Sequence, residues 1–92
     1  MLFILPNYGQ VVARDGQKEI YENVRVSWYA KGLRNPEAFT TACWNEFPKG
    51  TRFRVTYRNN SVSVVCTDRG NFKQMGRFLD LSAGAFKSLT PL

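Results

Sequence analysis

The sequence predicts a small, mainly β domain, either a barrel or a compact sheet, with one short helix near its end. Residues 51–58 (TRFRVTYR) alternate strictly in side-chain type, and residues 61–67 (SVSVVCT) form a returning strand. A tight turn is expected at Asn59-Asn60, because Asn tolerates positive φ. Ser82 can cap a helix that begins at Ala83. The chain has 92 residues, which is enough for one domain.

The other elements are shorter. Residues 24–30 (VRVSWYA) alternate as a strand, with Trp28 on the face of Val24 and Val26 and with Tyr29 on the opposite face. Residues 39–44 (FTTACW) are a short strand candidate, and residues 77–81 (RFLDL) are a brief extended segment. Gly, Pro and Asn place loops between these strands.

The charge balance favours an anionic partner. Lys and Arg number 13 against 7 Asp and Glu, so the net charge is +6. Such a charge suits nucleic acid, an acidic wall polymer or a membrane surface, and it equally serves solubility. The sequence carries no recognised nucleic-acid motif, so a nucleic-acid partner ranks last. The opening residues MLFILP are apolar but too short to span a membrane.

The chain has no His and two cysteines, Cys43 and Cys66. These residues alone do not make a standard structural zinc site, so neither a metal nor another cofactor is expected. The two thiols either form one disulfide or remain as buried free cysteines, and their spacing does not decide between the two.

Two acids near the C-terminal end are candidates for chemistry. Asp80 lies between Leu79 and Leu81, which would raise its pKa by desolvation, while the nearby helix start would lower it. It is either a proton donor or a structural acid bonded to backbone amides. Asp68 ends a strand, where it either stabilises a turn or contributes to a site.

The aromatic residues and the arginines of one strand each have a functional and a structural interpretation. Trp28, Tyr29 and Trp44 could stack on sugar rings or pack in the core. The side chains of three arginines share one strand face, which is either a solvated surface or a track for phosphates. They are Arg52, Arg54 and Arg58.

Six short motifs, read in order, resemble one family. They are SWY (27–29), TA (41–42), P-x-G-T (48–51), RVT (54–56), DRG (68–70) and G-R-x-x-DLS (76–82), the last followed by Ala85-Phe86. This set resembles the double-psi β-barrel domain of rare lipoprotein A, and the DLS segment is similar to the first domain of expansins. The resemblance covers residues 27–92.

The resemblance implies a six-stranded double-psi β-barrel with one or two short helices over residues 21–92. It also implies a groove for a cell-wall glycan, namely peptidoglycan strands without stem peptides. The implied location is extracellular, in the cell wall or the periplasm. The implied activity is lytic transglycosylation, in which one acid protonates the glycosidic oxygen and a hydroxyl of the sugar closes on the anomeric carbon. Expansin-like wall loosening is the related expectation, and a non-catalytic barrel that binds an acidic polymer is the alternative.

The resemblance also assigns roles to residues. Asp80 matches the aspartate of the DLS motif, the catalytic candidate, and Asp68 matches the aspartate of the DRG motif. Thr41 and Tyr29 match groove-lining positions of the family. Beside these two, the expected substrate-binding residues are Trp28 and Trp44, as a platform for sugar rings, and Arg69.

Two departures from the family are expected to matter. The family commonly has a His shortly after the Thr-Ala pair, where this chain has Trp44 or Asn45. Family members also continue with a further strand after the segment that ends this sequence. We therefore expect residues 1–20 to supply a barrel strand, from residues 2–5 or 10–13, or else a second copy of the chain to supply it in a homodimer.

Overall fold

Seven β-strands form one mixed sheet in the computed structural model, which describes residues 9–14, 18–70, 72, 74 and 76–90. One short helix follows the last strand. The elements are β1 (Gly9–Arg14), β2 (Lys18–Val24), β3 (Val26–Tyr29), β4 (Thr40–Cys43), β5 (Arg52–Tyr57), β6 (Asn60–Arg69), β7 (Leu79–Ser82) and α1 (Ala83–Lys87). The predicted mainly β fold with a short helix is confirmed, with seven described strands where six were expected.

The sheet curls because its two outer strands are consecutive in the chain. The strand order is β2-β1-β5-β6-β4-β7-β3, and β2 and β3 are separated only by Arg25. One nearly continuous segment therefore begins at one end of the sheet and finishes at the other. Strand β3 runs parallel to β7, and β4 runs parallel to β6, while the remaining pairs are antiparallel.

The hairpin of β5 and β6 follows the predicted alternation. Phe53, Val55 and Tyr57 are buried, and the residues between them are exposed or half-buried. The turn, however, is placed one residue earlier than predicted. Arg58 adopts the positive φ of 56°, and Asn60 already pairs with Tyr57 in the ladder. The Asn59-Asn60 prediction was wrong in this detail because the strand register, rather than the residue preference, positions the turn.

Strand β1 pairs antiparallel with β5, from Gln10 opposite Thr56 to Arg14 opposite Arg52. The edge of β5 that a second chain would otherwise cover is therefore paired within the same chain. This pairing supports the proposal that the N-terminal segment supplies a barrel strand through residues 10–13. The alternative segment, residues 2–5, lies outside the described residues.

The core lies inside the curled sheet and is rich in aromatic rings. Phe47 packs edge-on against Phe53 with ring centroids 5.1 Å apart, and Phe78 contacts both rings. Tyr21 of β2 packs on Phe78 at 4.6 Å. These contacts join β2 to the segment that precedes β7, so side-chain packing reinforces the closure of the sheet.

Cys43 and Cys66 form a disulfide between the neighbouring strands β4 and β6, with 5.8 Å between their Cα atoms. Both side chains are buried. The sequence left open a disulfide or two buried free cysteines, and the structure shows the disulfide. Because β4 lies between β6 and β7, this bond fixes the position of β4 in the sheet.

The helix begins as predicted. Ser82 is its N-cap, and the Ser82 hydroxyl oxygen accepts a hydrogen bond from the Ala85 amide. The same hydroxyl donates to the Ala38 carbonyl. The backbone of Gly84 lies so close to Glu37 that no Cβ would fit between them. The helix therefore holds the long loop that leads into β4.

Loss of the disulfide should destabilise the domain. The double variant Cys43→Ser, Cys66→Ser should lower the free energy of unfolding by about 3 kcal/mol, because the bond closes a loop of 23 residues of separation. Denaturant titration followed by tryptophan fluorescence would measure it. Reduction of the native chain should cost a similar amount. A loss below about 1 kcal/mol would contradict a stabilising role for this bond.

Candidate functional site

Four side chains meet on one surface of the strands β3, β7, β4 and β6. The register places Ser27 opposite Asp80, Asp80 opposite Ala42, and Ala42 opposite Asp68. Register partners project to the same face of a sheet, so Ser27, Asp80 and Asp68 share a face with Tyr29, two residues after Ser27. We call Ser27, Tyr29, Asp68 and Asp80 the acidic cluster.

A bulge in β6 brings Asp68 onto this surface. Thr41 is opposite Cys66, but the next residue, Ala42, is opposite Asp68, so Thr67 is an extra residue in the ladder. Cys66 faces the core. Without the extra residue, strict alternation would point Asp68 into the core as well. The bulge is therefore the local feature that places the second acid beside the first.

Asp80 is held by a side-chain hydroxyl. Ser27 donates a hydrogen bond to Asp80 Oδ1 at 2.8 Å. The buried Arg77 donates through Nη1 to the Ser27 oxygen at 3.2 Å. Among the described residues no donor is bonded to Asp80 Oδ2, and the residue is only partly buried. The helix is capped by Ser82, so Asp80 is not the structural acid at the helix start that was one expectation.

Opposing effects act on the protonation of Asp80. Burial raises its pKa above the ordinary value of 3.8, while the Ser27 hydrogen bond and the Arg77 charge lower it and the charge of Asp68 raises it. The net direction is upward. Asp80 therefore retains its proton to higher pH than an exposed aspartate does, and a protonated carboxyl can donate.

Asp68 is held by Tyr29. The Tyr29 hydroxyl donates to Asp68 Oδ2 at 2.9 Å, and the Arg69 amide donates to Oδ1 at 2.8 Å. Burial raises the pKa of Tyr29, and the hydrogen bond to Asp68 and the charges of both acids raise it further. The phenol therefore stays protonated. This bond links β3 to β6 across two intervening strands, a separation of about 14 Å in a flat sheet, so the sheet is bent here.

Two of the predicted binding residues have structural contacts instead. Thr41 is fully buried, and its hydroxyl lies 3.1 Å from the Asp80 carbonyl oxygen. Arg69 donates through Nη1 to the carbonyl oxygens of Trp44 and Phe47. Thr41 thus helps to join β4 to β7, and Arg69 braces the loop after β4.

The two tryptophans pack against the core. Trp28 is half-buried against the core, on the opposite face of β3 from Tyr29. Trp44 packs on Phe78 at 4.8 Å, and its indole nitrogen donates to the Arg77 carbonyl. Of the seven predicted site residues, the structure therefore brings together Asp80, Asp68 and Tyr29.

Sequence reasoning missed Ser27 and Arg77. Ser27 was part of the SWY motif and Arg77 of the G-R-x-x-DLS motif, but neither was assigned a role. The signal for Ser27 in the sequence was a small polar residue between Val26 and Trp28 in a predicted strand. In the structure Ser27 is fully buried. Its partner is 53 residues away in the sequence, so local patterns do not reveal the contact.

The curled mixed sheet with one short helix is the architecture expected for a double-psi β-barrel. The family model described as "Lytic transglycolase" matches residues 21–91. The chain therefore belongs to this double-psi β-barrel family, and its family-level function is related to the cell wall. Searches of curated proteins and of solved structures found no significant match. No helix in the described residues is long and apolar enough to cross a membrane.

The hydrogen bond from Ser27 opposes the rise in the pKa of Asp80, so removing it should raise that pKa further. We expect this result for Ser27→Ala, measured by carbon-detected NMR titration of the Asp80 carboxyl. Tyr29→Phe is the matched control, because it removes a hydroxyl bonded to Asp68 rather than to Asp80. An unchanged or lowered pKa of Asp80 in Ser27→Ala would show that the serine does not stabilise the carboxylate.

The raised pKa of Asp80 also predicts how stability depends on pH. The window lies between pH 3.8, the ordinary pKa of the carboxyl, and the raised pKa of Asp80 in the folded state. Within it the folded state binds more protons than the unfolded state, so the free energy of unfolding falls as pH rises. Asp80→Asn removes this pH-dependent loss of stability, because the amide does not titrate. The free energy of unfolding of the variant, relative to the native chain, should increase from pH 4 to neutral pH in denaturant titrations. A difference that is constant or decreases with pH would contradict the sign of the shift.

Proposed function

We propose that the chain binds a glycan strand of the cell wall, of the peptidoglycan type, and that Asp80 is the proton donor for its cleavage. The observation that carries the proposal is the environment of Asp80. It is partly exposed and its pKa is raised, and among the described residues only its Oδ1 accepts a side-chain hydrogen bond, from Ser27. Asp80 belongs to the DLS motif, and the family model that matches this chain carries the description "Lytic transglycolase".

The proposed reaction needs a single carboxyl group. Asp80 gives its proton to the glycosidic oxygen as the bond from that oxygen to the anomeric carbon breaks. A hydroxyl of the same sugar then attacks the anomeric carbon, and the Asp80 carboxylate takes the hydroxyl proton. The products are a shortened strand and an anhydro-sugar end, no water is consumed, and Asp80 returns to its protonated form.

Asp68 and Tyr29 have a supporting role in this proposal. The negative charge of Asp68 raises the pKa of Asp80. The same charge would stabilise the positive charge that develops at the anomeric carbon as the bond breaks. Tyr29 fixes the Asp68 carboxylate through its hydrogen bond. The two acids flank Ala42, about 10 Å apart at their Cα atoms if the sheet were flat, which leaves room for a sugar between them.

A second candidate is glycan binding without cleavage. The position where the family commonly has a His carries Trp44, whose ring packs on Phe78 and whose indole donates to a backbone carbonyl. Asn45, the next residue, is exposed. Neither side chain replaces the acid–base chemistry of an imidazole. The two candidates predict the same partner and differ only in the product.

The disulfide supports a location outside the cytoplasm, in the cell wall or periplasm. Disulfides form and persist in oxidising compartments, and a small domain gains much of its stability from them. The bond between Cys43 and Cys66 is buried next to the proposed site.

Incubation with purified glycan strands should generate anhydro-sugar ends, detected by mass spectrometry. Asp80→Asn should lower the rate by at least about 100-fold, because general acid catalysis contributes roughly that much. Glu37→Gln is the matched control, since it makes the same carboxyl-to-amide change at an exposed ion pair with Lys87. It should keep the native rate.

Two outcomes separate the candidates. Binding of glycan strands without any anhydro-sugar product would favour the non-catalytic barrel. Cleavage that persists unchanged in Asp80→Asn would remove Asp80 from the mechanism, whatever the affinity for the strand.

A further inference from the structure

A pocket of about 260 Å³ opens on the outer surface of β5 and β6. It is lined by Phe39, Arg52, Ser63, Val64 and Val65. The Phe39 side chain is 53% exposed, although it is a large aromatic ring. The volume is below the roughly 300–1,000 Å³ of pockets for drug-sized ligands, so it suits a single ring.

The surface around this pocket is positively charged. Arg52 lies opposite Val65 and Arg54 lies opposite Ser63, and both arginines are exposed. No described carboxylate forms an ion pair with either guanidinium, and the neighbouring strand β1 (GQVVAR) contains no Asp or Glu. The nearest acid along β6 is Asp68, three residues beyond Val65. In the part of the chain that the structure describes, the pocket therefore presents positive charge that suits an anionic ligand.

The pocket and the acidic cluster belong to one continuous surface. Val65 and Asp68 are on the same strand, about 10 Å apart at three residues of separation. Phe39 directly precedes β4, which carries Ala42 between the two acids. Arg52 on β5 and Asp80 on β7 are three strands apart, about 14 Å in a flat sheet. One sugar does not span that distance, but an oligosaccharide does.

We propose that this pocket is a second subsite, which takes a carboxylate-bearing sugar of the same glycan strand. The Phe39 ring packs on the apolar face of the sugar, and the Arg52 guanidinium binds its carboxylate through two parallel hydrogen bonds. The inference rests on the proposed function and adds to it a preference for acidic over neutral glycans.

Calorimetric titration in an Asp80→Asn background, which prevents turnover, would test the subsite. One ligand is peptidoglycan glycan strands freed of stem peptides, whose muramic residues carry carboxylates. The other is neutral oligomers of N-acetylglucosamine of the same length. The variants are Arg52→Gln, Phe39→Ala and, as the matched control, Arg58→Gln. Arg58 stands in the turn at the far end of β5, about 20 Å from Arg52, and its removal changes the net charge equally.

The acidic strands should bind the parent about tenfold more tightly than the neutral oligomers, and Arg52→Gln should abolish this preference. Phe39→Ala should weaken binding of both ligands, and Arg58→Gln should change little. The three side chains are exposed, and the Arg58 guanidinium also lies over the Tyr57 ring, so the unfolding temperature of each variant is measured and affinities are compared where every variant is folded.

Equal affinity for acidic and neutral glycans would overturn the subsite while leaving the proposed function intact. The subsite would also be overturned if Arg58→Gln lost as much affinity as Arg52→Gln, because binding would then follow net charge alone. Absence of binding to either glycan would overturn the proposed function together with the subsite. An Arg52-dependent affinity for a single-stranded oligonucleotide that exceeds the affinity for glycan would assign the pocket to phosphates instead.

Discussion

Strand β4 lies between β6 and β7, and this placement determines the geometry of the acidic cluster. Ala42 is the register partner of both Asp68 and Asp80, so this strand determines that the two acids share a surface. The disulfide ties β4 to β6, and the Thr41 hydroxyl contacts the backbone of β7. Both attachments therefore hold β4 in the position that brings the two carboxyl groups to one surface.

The acidic cluster explains why so basic a chain keeps two acids near its end. Most of the Lys and Arg side chains whose burial is described are exposed, whereas Asp68 and Asp80 lie close enough for the charge of Asp68 to raise the pKa of Asp80. Ser27 and Arg77 limit that rise. The protonation of Asp80 is therefore set by a balance between desolvation and two compensating polar contacts, rather than by burial alone.

Local patterns predicted the local structure well. The alternation in β5, the return strand β6 and the Ser82 cap were all evident, because each depends on neighbouring residues. The turn at Arg58 and the bulge at Thr67 were not, since both are set by pairing with distant strands. Thr41 was assigned to a groove from its motif position, but its side chain is buried. For Trp28 and Trp44 the sequence left sugar stacking and core packing open, and both rings pack against the core.

The pH dependence of glycan cleavage tests most directly whether Asp80 is the proton donor. If it is, the rate constant kcat/KM should fall as pH rises, with a midpoint equal to the pKa of the Asp80 carboxyl measured by NMR in the same protein. Ser27→Ala should move both midpoints upward together. A cleavage rate that does not change across the titration of Asp80, or that falls at a pH unrelated to it, would contradict the account.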